Sequence, residues 1–191
     1  MKYLSMVLVV GLAAATLAVA VQEDKDLRTG LIGEYYNAEK KMDKMPDLGG
    51  LFGMKPVSRH IDRVIDFGHD GSVKTFSDPT LKTFFAVRWS GWLKVPKDGA
   101  YTFFLKCTDM SKMWIDGKMV LEHEGKPVME ENHKTLDLKA GNHEFRVEFA
   151  HNEGEKMGCS VCWEYEGVKK QVIPATVYWH KYDKDLDGPT K

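Results

Sequence analysis

The chain has 191 residues, of which 43% are hydrophobic and 29% are charged, and its formal net charge is −1. That length and hydrophobic fraction suit one globular domain with a real core and short appendages. Because there is no basic excess to collect phosphates, the composition excludes nucleic acid and anionic membrane surfaces as predicted partners.

The first twenty residues have the pattern of a cleaved secretory signal peptide. Lys2 supplies a positive start, residues 4–17 are mostly apolar, and Ala18-Val19-Ala20 places small residues where a signal peptidase reads. An uncleaved membrane anchor is the alternative, although the apolar run is at the short end for spanning a bilayer. Cleavage before Val21 predicts an exported protein, whether secreted, periplasmic or at the cell surface, with no transmembrane span left.

Three cysteines follow the predicted signal peptide: Cys107, Cys159 and Cys162. Export places them in an oxidising compartment, where disulfides persist. An odd number leaves at least one thiol free or paired between chains, and the sequence leaves all three single-bridge pairings open. One Cys-x-x-Cys without a second ligand pair argues against a zinc site.

The first half of the mature chain predicts strands separated by Gly-containing turns. Residues 21–29 are charged and are predicted to be a flexible N-terminal segment. Residues 29–37 read as the first strand and 64–67 as a short one, and 81–95 is the strongest strand region. Gly91 within that region is predicted to form a β-bulge.

The stretch 96–121 alternates most clearly. Residues 96–99 predict a hairpin turn into a strand that ends at Cys107. A loop is predicted over 107–111, followed by a second strand. Asp116-Gly117 is then a two-residue hairpin signal, because both residues tolerate the positive φ of a type I′ turn.

Further strands are predicted over 135–138, 143–149 and 159–165, whereas Glu122 to Glu131 is polar and unpatterned. Phe145, Val147 and Phe149 are expected to point inward. With no long helical period, the fold class predicted is an all-β antiparallel sandwich or barrel over residues 30–179, followed by a polar tail over 180–191.

Several short motifs in order resemble successive landmarks of the protective-antigen-type, or PA-14, domain family over roughly residues 30–178. They are Gly30-Leu31, Tyr35-Tyr36, Ile65-Asp66-Phe67, Val87 to Trp92, Gly99 to Phe103, Asp109 to Ser111, Trp114 to Gly117, Ala140 to His143, Trp163 and Val172-Ile173-Pro174. Each motif alone is weak, but their order makes the match specific. The resemblance implies an antiparallel β-sandwich of the kind found in exported glycosidases, adhesins, proteases and toxins.

In lectin-like members of that family, two adjacent aspartates on a loop hold a calcium ion that bridges to sugar hydroxyls. The resemblance aligns Thr108 and Asp109 with that pair, so this chain supplies one carboxylate where two are wanted, and calcium affinity should fall strongly. Met110 replaces the usual glycine and should strain a loop that needs positive φ. Asp109 is nevertheless the candidate calcium ligand; the alternative is that its carboxylate caps backbone N–H groups of the turn.

The candidate sugar-binding residues are Asp109, Thr108 and Trp114. Trp89 and Trp92 are predicted to lie in the core, whereas Trp114 and Trp179 could each stack on a pyranose ring. In the tail, residues 183–188 match the first half of a D-x-D-x-D-G calcium loop, but the closing Glu is missing. A solvated polar tail is therefore predicted, and a weak calcium contact is the alternative.

The sequence contains none of the common catalytic motifs, so no enzymatic activity is predicted. The first functional hypothesis is an exported, non-catalytic carbohydrate-binding module for a polysaccharide or cell-surface glycan. The alternative is a structural or protein-interaction domain, docked on another exported protein, that has lost sugar binding. Thr108 favours the alternative, and the family's fold favours the first hypothesis.

Overall fold

The computed structural model describes residues 26–49, 53–68, 76–153 and 157–189, apart from the side chains of 126 and 127. The predicted signal peptide lies outside this part. Eleven strands are described, together with a 3₁₀ turn at Ala175–Val177 and one short helix. The strands are Leu27–Thr29 (β1), Leu31–Asn37 (β2), Ser58–Asp62 (β3), Asp66–Phe67 (β4), Phe85–Val95 (β5), Gly99–Ile115 (β6), Lys118–Leu138 (β7), Gly141–His151 (β8), Cys159–Tyr165 (β9), Val168–Val172 (β10) and Tyr178–Lys181 (β11), and the helix is Lys184–Asp187 (α1).

The strands pair antiparallel in the order β1-β11-β5-β8-β6-β9-β10. β2 also pairs with β5 and β3, β7 pairs with β6, and β4 pairs with β9. One core receives side chains from strands far apart in this order, so the sheet folds over on itself as a sandwich. The predicted all-β antiparallel fold is confirmed.

Alternation along the strands decides which side chains fill the core. Trp89 of β5, Phe103 of β6, Val147 of β8 and Trp163 of β9 are all buried in it. The inward positions predicted for β8 are confirmed, and so is the buried position predicted for Trp89 of β5, since successive residues of a strand face opposite sides. Each large apolar side chain contributes about 1.5–3 kcal/mol on burial, so this core dominates the stability of the fold.

The connection between β5 and β6 is not the predicted hairpin. β8 lies between these strands, with Trp89 opposite Val147 on one side and Met113 opposite Val147 on the other. The hairpin between β6 and β7 is confirmed: Asp116 and Gly117 have φ of +51° and +72°, as a type I′ turn requires.

β7 includes the segment 122–131, which the sequence pattern left unstructured. β7 pairs with β6 from Lys118 to Leu138, with two register shifts inside the segment 122–131. Much of it is exposed, so the pairing with β6 rather than a buried apolar face holds it in the sheet. A hydrophobic period could not have revealed such a strand.

β5 runs through Gly91 opposite Phe145 with no register shift, so the bulge predicted at this glycine is wrong. Gly91 serves a close approach instead. A Cβ at this position would meet the carbonyl oxygen of Trp179 and the side chain of Leu31. The missing side chain therefore lets β11 lie against β5.

The ordered fold extends beyond both predicted boundaries. β1 pairs with β11, so the flexible segment predicted for 21–29 is wrong from Leu27 onward, and the sheet continues to Lys181. In the predicted tail, Asp183 accepts a hydrogen bond from Arg59 at 2.6 Å, and Asp187 contacts His180 at 3.1 Å. Two carboxylates of the half calcium loop are thus bound to protein groups.

Within the described ranges, no helix is both long enough and apolar enough to span a bilayer.

Candidate functional site

The segment predicted as a ligand loop is a buried part of β6. Thr108 and Ser111 are completely inaccessible, and Asp109 is 4% exposed. β6 continues through all of them, and its pairing with β7 shifts register on both sides of Asp109. The prediction of a loop between two strands is therefore wrong, because β6 pairs with β9 up to Cys107 and with β8 from Met110 onward.

Asp109 is bound to a histidine from a neighbouring strand. Its Oδ2 lies 2.7 Å from Nδ1 of His151, which is 1% exposed. Asp109 itself adopts the positive φ, at +51°, whereas Met110 does not. The strain predicted for Met110 is thus wrong, because the left-handed residue is an aspartate, which tolerates this region better than most.

A metal ion at this point would have to enter a buried site beside a carboxylate that already has a protein partner. One of its two carboxylate oxygens already contacts His151. Within the described ranges, no group of three or more His, Cys, Asp or Glu residues is placed to hold a metal ion. Thr108 is the other residue of the aligned pair. Its hydroxyl donates a hydrogen bond to the carbonyl oxygen of Gly158 at 3.5 Å.

A cavity of about 400 Å³ lies beside this segment, between β6, β7 and the residues after β2. We call it the β6–β7 cavity. Its lining is mostly polar, with both signs of charge and two methionines. The lining residues are Asp43, Lys44, Met45, Met110, Lys112, Glu122, His123, Glu124 and Gly125.

The cavity forms because β7 is longer than β6 here. Between the pairs Cys107–Glu130 and Ser111–His123, β7 advances seven residues while β6 advances four. The surplus residues cannot all pair with β6, so the chain bows away from it. Gly125 lies in this bow with φ of +65°, a conformation that glycine adopts without strain.

His123 is the most distinctive group of the lining. It is 6% exposed, and its Nδ1 lies 3.6 Å from a carboxylate oxygen of Glu130. Its Nε2 is buried and has no hydrogen-bond partner. A buried polar atom without a partner costs about 1–3 kcal/mol. A ligand would recover that cost if the imidazole ring turned to present Nε2 to the cavity. Nearby, Lys112 and Glu122 form an ion pair at 2.7 Å.

Trp114 lies away from the cavity lining. It is half-buried on the outer face of the sheet, five residues along β6 from Asp109, and the Arg146 guanidinium lies 4.1 Å from its ring centroid. The structure therefore does not bring Trp114 together with Thr108 and Asp109. One face of its ring is already covered by a cation, a favourable contact in itself.

The other tryptophans divide between the two faces of the sheet. Trp89 is fully buried, as predicted, and donates its indole N–H to Asp62 at 2.7 Å. Trp92 is half-buried on the outer face, so its predicted place in the core is wrong. It lies three residues after Trp89, and side chains an odd number of residues apart face opposite sides of a strand. Trp179 lies opposite Trp92 in the β11–β5 register.

Sequence reasoning missed the cavity residues. Lys112 and Met110 share a parity on β6, which signals a common face. His123 and Glu124 lie in the stretch that showed no pattern. Nothing in the sequence indicates that Asp43 joins them, since it is remote in the chain and lies in an irregular segment.

A family model described as the PA14 domain matches residues 27–176. The chain belongs to the PA14 domain family. The resemblance drawn from the ordered motifs is thereby confirmed, and the match covers most of the described structure.

Relatives of this PA14 domain include two anti-sigma factor proteins. The anti-sigma-I factor RsgI3 of Acetivibrio thermocellus is 26% identical over 162 residues, which is 84% of this chain and 22% of that protein. An anti-sigma factor domain-containing protein from Clostridium clariflavum is 25% identical, with a TM-score of 0.62 over 81% of this chain and 48% of that one. The chain thus spans about a fifth of the first relative and about half of the second.

The PA14 sugar-binding domain of an RTX adhesin has the same fold at 18% identity. Its TM-score is 0.62, and the match covers 80% of this chain and 98% of that one. At this identity the likeness establishes the shared scaffold. The features of the binding site must be taken from this chain's own residues.

Proposed function

We propose that this PA14 domain is an exported, non-catalytic carbohydrate-binding module that takes a sugar in the β6–β7 cavity. The observation that carries the proposal is the cavity itself, with the unpartnered Nε2 of His123 among its lining residues. Its volume of about 400 Å³ falls in the range of small-ligand pockets, about 300–1,000 Å³. The sugar-binding PA14 domain of the RTX adhesin shares the scaffold.

The chemistry of the lining suits a polyhydroxylated ligand. Sugar hydroxyls can donate to the carboxylates of Asp43 and Glu124 and accept from the ammonium of Lys44. Charge-assisted hydrogen bonds of this kind are the stronger ones. Met45 and Met110 offer adaptable apolar surface to the C–H face of a ring.

We propose that binding at this cavity does not need calcium. An ion at Asp109 would have to be desolvated in a buried site where one carboxylate oxygen already bonds His151, and the adjacent Thr108 offers no second charge. Calcium affinity follows the number and charge of oxygen ligands, so the aligned pair of this chain is a poor site. The cavity lining can bind hydroxyls directly instead.

The test is a glycan array probed with the chain in calcium and in chelator, followed by calorimetry on any hit. The variant His123→Ala should weaken binding about ten-fold, because a hydrogen bond of about 1.4 kcal/mol is lost. His133→Ala is the matched control, since this exposed histidine lies on the same strand outside the cavity. Circular dichroism checks that both variants fold.

Three results would contradict the proposal. Binding abolished by chelator would restore the calcium-dependent mechanism. Equal affinity of His123→Ala and wild type for a bound glycan would move the site elsewhere. No glycan binding on a broad array would remove the carbohydrate function.

The last result would favour the second candidate, a protein-interaction domain within a larger assembly. The observation that supports it is the match to two anti-sigma factor proteins, which are 26% and 25% identical to this chain. In that case the cavity would receive side chains of a partner rather than sugar hydroxyls. His123→Ala would then weaken the protein complex, whereas His133→Ala would not.

A further inference from the structure

Two of the three cysteines lie directly opposite each other on neighbouring strands. Cys107 of β6 is paired in register with Cys159 of β9. The next backbone bond runs from Thr108 N–H to the Gly158 carbonyl at 3.0 Å, which makes the cysteines a non-hydrogen-bonded pair. In such pairs the Cα atoms lie about 4.5 Å apart, within the range of about 4.4–6.8 Å that disulfides span.

The sulfur atoms are already in close contact. The two Sγ atoms lie 2.9 Å apart, and both side chains are fully buried. Non-bonded carbon atoms prefer about 3.5–4.0 Å, and sulfur is larger than carbon. The distance between the two sulfur atoms is therefore shorter than the usual separation of non-bonded thiols. The sulfurs could bond without a large movement of either strand.

Cys162 is placed differently. It lies three residues further along β9, opposite Phe104, so its side chain points to the other face of the sheet. It is half-buried. The sequence left three pairings open, and the sheet register makes two of them geometrically impossible without rebuilding β9.

We propose that Cys107 and Cys159 form a disulfide that ties β6 to β9, and that Cys162 remains a free thiol. The two thiols lose two protons and two electrons as the S–S bond forms. Oxidised glutathione, a small disulfide, accepts both electrons and leaves as two thiols. The bond links strands next to the β6–β7 cavity but does not depend on the proposed sugar binding.

Burial determines when the bond can form. Desolvation, together with the neighbouring Cys107 thiol, raises the pKa of Cys159 well above its usual range. Because the thiolate is the reactive species, the folded, reduced protein should oxidise slowly. Oxidation is expected during folding, while both thiols still meet solvent.

The test is oxidative refolding of the full chain in a glutathione buffer. Alkylation in denaturant without reductant should then label one thiol, and peptide mapping should find that label on Cys162 and a Cys107–Cys159 linked peptide. Reduction before alkylation should give three labels. Three labels without reduction, a bridge through Cys162, or a bridge between chains would each overturn the proposal.

A stability measurement on variants adds a second check. Wild type and Cys162→Ala should each have a thermal midpoint about 10 °C higher when refolded without reductant than with it. A shift of this size is the effect expected of a bridge that closes a long loop. The double variant Cys107→Ala/Cys159→Ala should give the same midpoint in both buffers. The same wild-type thermal midpoint with and without reductant would contradict the bridge. The peptide-mapping result stands even if the double variant fails to fold.

Discussion

Asp109 is a carboxylate, is 4% exposed and has a φ of +51°. Each property alone is costly, since a buried charge needs a partner and a left-handed backbone strains most residues. His151 meets the first requirement through a hydrogen bond of 2.7 Å. The second is met by the residue type, because aspartate tolerates this region. At this position the chain has a hydrogen bond to His151, where the resemblance implied a calcium ligand.

We expect Asp109→Ala to destabilise the protein by about 2–3 kcal/mol, because His151 would lose its partner in a buried site and alanine would strain at positive φ. Asp109→Asn should cost less, since asparagine accepts a hydrogen bond and adopts the left-handed conformation. Urea unfolding monitored by tryptophan fluorescence measures both changes. Equal stability of the alanine variant and wild type would show that the Asp109–His151 bond contributes nothing.

At the scale of elements, the pairing of β11 with β5 depends on a missing side chain. A Cβ at Gly91 would lie 2.3 Å from the carbonyl oxygen of Trp179 and 2.9 Å from Cδ2 of Leu31. The first contact is with backbone, which cannot rotate away. The same contact supports β1, because β11 is the described strand with which β1 pairs.

Gly91→Ala should therefore lower the free energy of unfolding by about 1–3 kcal/mol, the usual range for forcing an extra group into a packed site. Hydrogen exchange should rise first in β11 and β1. Ser90→Ala on the same strand is the control, with little expected change. Wild-type stability and exchange in Gly91→Ala would show that β11 accommodates the methyl group.

At the scale of the whole molecule, one curved sheet closes over a large core, and the segment around Asp78 is hydrogen-bonded to β3. Asp78 is 8% exposed and accepts hydrogen bonds from the hydroxyls of Ser58 and Thr80, each at 2.5 Å. The Ser58 bond first, and then the Thr80 bond, hold the pKa of Asp78 below its usual value. A charged carboxylate is thus preferred in the folded state more than in the unfolded chain.

A lowered pKa in the folded state fixes the sign of the pH dependence. The stabilisation from Asp78 is complete above the unfolded pKa of about 3.9 and is lost as the pH falls through the lower folded pKa. Asp78→Asn should cost about 1–2 kcal/mol at pH 7, and its difference from wild type should shrink below about pH 4. Urea titrations of both proteins at pH 7 and pH 3 measure this, and a constant difference would contradict the assignment.

The family and the all-β class were predictable from the sequence, and so were the inward face of β8, the burial of Trp89 and the Asp116-Gly117 turn. These features depend on residues adjacent along the chain, whose alternation and turn chemistry are local. The order of motifs added the family, which the match to residues 27–176 confirmed.

Only the tertiary structure decided that β8 lies between β5 and β6, that Asp109 is buried against His151, and that Cys107 faces Cys159. It also decided that Asp43 and His123 line one cavity. Each of these contacts joins segments remote along the chain. Local alternation specifies which face a side chain takes, but not which strand arrives beside it.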